Sequence, residues 1–422
     1  MKVAELKQKK IDVTDLKLGM FVSALDRPWS QTSFPLQGFA LRSHREIMAI
    51  RSLCQYVYVD VAKSKNLPVA ELDTKGLDNK GNDYRQSQVP LTLDHDKYKA
   101  RATAPSSKDV SKAHKTFEQT ALNLKSIHEQ IRVGSNVDEK EINQTAGLMV
   151  RSAMENPVAI TWIALLQRND KGTYGQSLRS ATWAIICARH MGMEEQEIKR
   201  LAAGVMLKDI FRTEEDETLP DTMAIEKTVN KLREANVHPK IIAVVKYHRE
   251  KFNGTGKPFG ASGEKIPLLA RIAAIATAYD EKIYPIDGTP AIAPSAATKF
   301  IYEQRGRAFQ EELAIEFIEC TGLYPLGTLV KLNTGETACV VKSNPQRRLR
   351  PEIMVLRNTE GARLETPARA NLADDKGKER KIESDLPSDP EIDTNWIYEC
   401  FLGRQSSTDG SPKKSRFARL FA

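Results

Sequence analysis

The sequence has few cysteines, no long apolar run and only a slight excess of one charge. Its five cysteines (Cys54, Cys187, Cys320, Cys339 and Cys400) stand far apart, and none forms a CxxC pair. That spacing argues against both a disulfide framework and a zinc knuckle, so a reducing cytoplasm is the expected setting. Residues 1–10 lack the apolar stretch of a signal peptide. The most apolar segment, Pro157 to Leu166, is about half the length that spans a bilayer, so no transmembrane segment is expected. No repeat and no phosphate-binding glycine loop is visible. Gly254-Thr255-Gly256-Lys257 lacks the P-loop spacing, and Pro258 follows it.

What is present suffices for a folded protein. Of 422 residues, 41% are hydrophobic and 28% charged, which excludes general disorder. The length suggests about two or three domains. Lys and Arg number 63 against 55 Asp and Glu, for a net charge of +8. Such a balance favours anionic partners without identifying nucleic acid.

The chain divides by pattern. Residues 1–62 read as a small strand-rich module, with apolar runs at Ile11-Asp12-Val13, Gly19-Met20-Phe21-Val22 and Val57-Tyr58-Val59. A helix from Ser43 to Leu53 fits between them, Ser43 as N-cap and Glu46 completing a capping box. Residues 63–110 are rich in Lys, Asp, Asn, Ser and Gly and read as a flexible linker; His95 and His114 in or near it read as solvent-exposed. Residues 111–321 are helical in period: Phe117, Leu124, Ile127 and Ile131 make one stripe, and further helices are expected up to Ala296–Cys320. His44 and His128 read as surface residues, and His190 as a helix-end imidazole before Gly192. Residues 322–372 switch to period two, with a hairpin around Asn333-Thr334-Gly335 and a third strand at Ile353-Met354-Val355-Leu356. Residues 373–422 read as a charged, mostly disordered tail with one short helix near Trp396, ending in the basic and apolar stretch Lys413 to Phe421. The expected fold class is mainly α: an all-helical domain with a small N-terminal α/β module and a short β extension.

Three stretches of the helical domain carry a family pattern. Leu201-Ala202-Ala203-Gly204-Val205-Met206-Leu207-Lys208-Asp209 is similar to a helix ending in a His-Asp pair. His248-Arg249-Glu250-Lys251-Phe252-Asn253-Gly254-Thr255-Gly256-Lys257-Pro258 resembles HHExxDGxGYP. Ile266-Pro267-Leu268-Leu269-Ala270-Arg271-Ile272, with Ala276-Thr277-Ala278-Tyr279-Asp280, resembles IPLLARI followed by ADxYD. Together they resemble the bacterial HD-GYP family of metal-dependent cyclic di-GMP phosphodiesterases. Leu25-Asp26-Arg27-Pro28-Trp29 and Gln37-Gly38-Phe39 resemble the module often found ahead of that domain, and Gly322-Leu323-Tyr324-Pro325-Leu326-Gly327 the extension after it.

The departures from that pattern bear on chemistry. The family resemblance implies two or three ions, such as iron or manganese, held by imidazoles and carboxylates. Carried over by position, the ligand residues become Gln176, Lys208, Arg249 and Thr277, and only Asp209 and His248 keep ligand-type side chains. An ammonium or guanidinium has no lone pair to give a metal. The expectations are therefore no catalytic residue, no metal and no cofactor. The cations Lys208, Arg212, Arg249 and Lys257 are the expected phosphate contacts, with cyclic di-GMP the implied ligand and a GGDEF-domain protein a possible partner. The alternative that Lys208 merely pairs with Asp209 stays open. So does an active phosphodiesterase with unusual metal ligands. Specific nucleic-acid binding has no motif behind it.

Overall fold

The computed structural model describes residues 8–26, 38–41, 44–60, 64, 94–98, 105–134, 137–166, 173–212, 220–286, 288–342, 344, 347, 349–374, 379–389, 392 and 394–402. Two compact units divide the chain, Met1–Gln88 and Val89–Ala422.

The first unit is an antiparallel sheet with one helix. Strands β1 (Gln8–Asp12), β2 (Phe21–Leu25), β3 (Phe39–Ala40) and β4 (Tyr56–Asp60) run in the order β1-β4-β2-β3, with α1 (His44–Leu53) before β4. Alternation explains the burial: Val57 and Val59 face the core with Val22, Ile47 and Ile50, while Tyr56 and Tyr58 are half-buried. Ser43, read as the N-cap of this helix, lies outside the described residues, as do Arg27, Pro28, Trp29 and Gln37.

The second unit opens with the long helix α2 (Ser107–Val133). A capping box between Ser106 and Asp109 starts it, and Gly134 in the left-handed conformation ends it. Phe117, Leu124, Ile127 and Ile131 are all buried, as their spacing predicts. Then follow α3 (Glu139–Glu155), α4 (Pro157–Leu166), α5 (Thr173–His190), α6 (Glu195–Leu207), α7 (Asp221–Glu234), α8 (Pro239–Tyr247), α9 (Leu268–Ile283), α10 (Pro294–Glu303) and α11 (Glu311–Thr321). Helix α5 is central. Its Trp183 meets Tyr279 of α9 edge to face at 5.1 Å, and Tyr279 meets Phe317 of α11 at 5.2 Å.

The helix predicted over Ala296–Cys320 is two helices. The break around Arg305 carries buried Phe309, so the apolar spacing runs on through it. His128 is not a surface residue: it is buried, its Nε2 lies 2.9 Å from the Met206 carbonyl, and burial pushes its pKa down to about 4.

The extension is a five-stranded antiparallel sheet, β5 (Leu329–Leu332), β6 (Thr337–Lys342), β7 (Glu352–Arg357), β8 (Arg363–Asn371) and β9 (Ile382–Leu386), in the order β8-β7-β6-β5-β9. The three predicted strands form its buried centre. The two edge strands are charged and half open to solvent, so no apolar alternation marks them. Strand β9 stands where a disordered tail is expected, and helix α12 (Thr394–Phe401) is the short helix expected near Trp396. Phe401 of that helix seats on Trp162 at 4.3 Å. The basic stretch Lys413 to Phe421 lies outside the described residues. No described helix is long and apolar enough to cross a membrane.

Candidate functional site

Helices α6 and α8 approach unusually closely. A Cβ on Gly204 would stand 2.4 Å from Val244 Cβ, so only glycine permits this spacing. One turn beyond that contact each helix delivers a site residue. Lys208 caps the C-terminus of α6, with Asp209 next to it, and His248 caps the C-terminus of α8. Helix α5 adds Gln176, Ser177 and Arg179, and α9 adds Thr277, Asp280 and Glu281.

Asp209 is the hub. It is fully buried, and the Lys208 ammonium, equally buried, rests on its Oδ2. Ser177 Oγ donates to the same oxygen at 3.4 Å, and Arg212 Nη1 lies 3.4 Å from Oδ1. Burial alone would raise this carboxyl, but Lys208 and Arg212 hold it well below the usual carboxylate range. Arg212 also reaches Asp221 at 3.2 Å. Arg249 pairs with Glu281 at 3.0 Å and with Asp221 at 3.8 Å. Three cations therefore face three acids, and the cluster is close to neutral. The excess positive charge expected in this cleft is offset by Asp221 and Glu281. No sequence motif marks either residue as a partner.

His248 Nδ1 lies 2.8 Å from the Val245 carbonyl, which fixes the proton there and leaves Nε2 with a lone pair. Burial, then Arg249 and Lys208, push its pKa down to about 3, so the ring is neutral. Its Nε2, both amide atoms of Gln176 and Thr277 Oγ1 are buried and find no hydrogen-bond partner among the described residues. Arg179 Nε donates to Asp280 Oδ1 at 3.2 Å, both side chains fully buried, and the guanidinium lies over the Tyr284 ring. Burial raises Asp280 to about 6, an effect that Arg179 only partly offsets. No motif residue of the sequence marks Arg179 as the partner of Asp280. The signal was available: Arg179 follows Gln176 at i+3, which places both on one helix face. Of the four expected ligand contacts, Lys208, Arg212 and Arg249 come together, with Lys208 sealed inside. Lys257 is exposed on the turn after His248.

Three family models match parts of the chain. Residues 8–142 match a domain of unknown function (DUF3391), residues 161–313 match the HD domain, and residues 329–377 match the KOW domain associated with HD domain. The chain is similar to cyclic di-GMP phosphodiesterase PA4108 of Pseudomonas aeruginosa, 24% identical over 369 residues covering 82% of this chain and 84% of that one. It is also similar to the cyclic di-GMP phosphodiesterase response regulator RpfG of Xanthomonas campestris, 28% identical over 163 residues, 34% of this chain and 42% of the relative. A solved structure, Bd1817, a HDG"Y"P protein from Bdellovibrio bacteriovorus, aligns with TM-score 0.43 and 16% identity over 74% of this chain and 99% of its own.

The helical unit is thus that of an HD-domain protein. Within that class, the chain is similar to cyclic di-GMP phosphodiesterases of the HD-GYP family.

One expectation is corrected by these matches. The family consists of metal-dependent phosphodiesterases, so a metal cofactor is to be expected of this chain rather than none. The Asp209 carboxylate itself is taken up by cations of this chain. Both Asp209 oxygens face cations and Asp280 Oδ1 accepts from Arg179, while His248 Nε2, Asp280 Oδ2 and Gln176 Oε1 are buried acceptors with no hydrogen-bond partner among the described residues. The ammonium of Lys208 would also repel a divalent ion.

Proposed function

We propose that this protein works in cyclic di-GMP signalling as a non-hydrolytic member of its family, its helical domain binding cyclic di-GMP without turnover. One observation carries the reading: the Lys208 ammonium is buried against Asp209, the hub of the cluster. That contact satisfies a carboxylate that would otherwise be desolvated and unpaired. Arg212 and Arg249, about a quarter exposed, are the groups open to a phosphate. Guanidinium suits bidentate phosphate contact, and an arriving phosphate would replace Glu281 and Asp221 as their partners. Lys208 then acts from inside, by holding Asp209, and Lys257 from the exposed turn.

Calorimetry with cyclic di-GMP on the wild type and on Arg249→Ala tests binding, and a product assay with added manganese or iron tests turnover. Micromolar binding weakened about tenfold or more by the substitution, without linearised product, is expected. No binding by the wild type at high micromolar ligand sinks the ligand; linearised product sinks the non-hydrolytic reading. The second reading is an active phosphodiesterase with unusual metal ligands. It is favoured by the orphaned polar atoms of Gln176, His248 and Thr277, which leave hydrogen-bonding capacity for something not of this chain. A GGDEF-domain protein is the protein partner implied, through the turn that exposes Lys257 and Phe259.

A further inference from the structure

A second group of chemistry-bearing side chains stands at the other end of α5. His190 is the last residue of that helix, 14 positions beyond Gln176, hence about 20 Å along the axis at 1.5 Å per residue. His95 sits in the turn 94–98, and Glu316 lies on α11. His95 Nε2 is 3.3 Å and His190 Nε2 3.5 Å from the same oxygen, Glu316 Oε2. One donor atom from each of the three residues lies within 4.8 Å of the other two.

The turn bearing His95 is firmly held. Asp94 N donates to the Met191 carbonyl at 3.2 Å, Tyr98 OH to the Met193 carbonyl at 3.0 Å, and Arg189 Nη2 to the Tyr98 carbonyl at 2.8 Å. Lys97 pairs with Glu194 at 2.5 Å. Gly192 makes this docking possible: its φ is +72°, and a Cβ there would lie 2.2 Å from the Asp94 carbonyl oxygen. These contacts place an imidazole from a segment that composition reads as linker against a helix end and an acidic side chain.

The geometry of the three differs from an ordinary ion pair. Glu316 Oε2 is buried and accepts no hydrogen bond of acceptable geometry, although two imidazole nitrogens lie near it. Both imidazoles approach the same carboxylate oxygen, and one ligand atom from each of the three residues lies within 4.8 Å of the others. Four-coordinate zinc with bonds of about 2.0–2.1 Å spaces its ligand atoms about 3.3–3.5 Å apart, which matches both nitrogen-to-oxygen separations. The imidazoles are about a third exposed, which leaves room for ring rotation and for a water in a fourth position. Glu319, 4.0 Å from His190, adds negative charge.

We propose that His95, His190 and Glu316 form a binding site for a divalent transition metal, zinc by ligand type, that fastens the turn 94–98 to the helical domain. Two imidazoles with one carboxylate suit a borderline ion and leave one position open. No ammonium lies among the three ligand atoms, in contrast to the cluster at Asp209. The site stands apart from that cluster, so it holds whether or not cyclic di-GMP is the ligand there.

The test uses the full chain, stripped with chelator and titrated with zinc by calorimetry and with cobalt by visible absorption. One ion per chain, with the strong bands of a low-symmetry cobalt site, is expected. Glu316→Gln and His190→Ala should each weaken binding about 100-fold or more, and His248→Gln should leave it unchanged. His95→Ala, in a surface turn, provides the same readout if either core-side variant fails to fold. Absence of stoichiometric binding at 100-micromolar ion overturns the proposal. So does binding that survives loss of His95, or that is lost with His248→Gln.

Discussion

The two ends of helix α5 carry opposite solutions to the same problem, a carboxylate taken out of water. Near its start, Asp209 is satisfied by covalently attached cations, Lys208 and Arg212, and the network closes on itself through Asp221, Glu281 and Arg249. Near its finish, Glu316 faces two imidazoles, which carry lone pairs and can share an external cation with it. A family's motif positions therefore do not by themselves say where a metal belongs. The side chain's lone pairs do.

The comparison breaks hardest if Lys208 is not what Asp209 depends on. Lys208→Met should cost about 3–5 kcal/mol, the range for stripping one partner from a buried pair. The double variant Lys208→Met with Asp209→Leu should recover most of that loss, because both charges go together. Urea unfolding with a double-mutant cycle measures both. A loss under about 1 kcal/mol for the single variant would mean that water or Arg212 already satisfies the carboxylate.

A weaker effect separates two buried aspartates by the sign of their pH dependence. Asp280 is raised to about 6 from 3.8, so the fold favours its protonated form. Its stabilising contribution is whole below the unfolded value, falls as pH rises toward about 6, and is flat beyond. Asp209 is lowered, so its contribution is present above 3.8 and is lost as pH falls through the folded value. Unfolding curves from pH 4 to pH 8 should show wild type losing ground to Asp280→Asn as pH rises to about 6. Asp209→Asn should show a nearly constant deficit from pH 4 to pH 8, one that shrinks only as pH falls below 3.8. The same slope for both would indicate that Arg179 compensates Asp280 as fully as Lys208 compensates Asp209.

How far the sequence carries such distinctions depends on the kind of signal. Apolar period placed Phe117, Leu124, Ile127 and Ile131 on one buried face, and the central strands β5 to β7 likewise. The edge strands β8 and β9 escaped because their side chains face water and carry charge. Motif order brought Gln176, Lys208, Asp209, His248 and Thr277 into one discussion, but the acids that neutralise the arginines belong to no motif. Asp221 opens a helix, and Glu281 follows a residue read only as part of ADxYD. His95 was least legible of all. It lies in a polar stretch with no periodicity, and only the fold brings it to His190 and Glu316. Contacts between distant segments leave no local pattern to read.

The smallest change that sharpens the contrast is a single methyl group at Gly192. Alanine there would have to hold φ near +72°, which costs about 1–2 kcal/mol for an L residue in the left-handed region. Its Cβ would also meet the Asp94 carbonyl at 2.2 Å, so the turn 94–98 must move outward or the backbone relax. If the turn moves, His95 leaves Glu316 while His190 stays. Zinc affinity measured by calorimetry should then fall about tenfold or more. Lys208→Met should behave the opposite way, losing stability with zinc affinity unchanged. Unaltered zinc affinity in Gly192→Ala, with the expected loss in stability, would show that His95 does not depend on this docking. A drop in both variants would tie the two ends of α5 into one site.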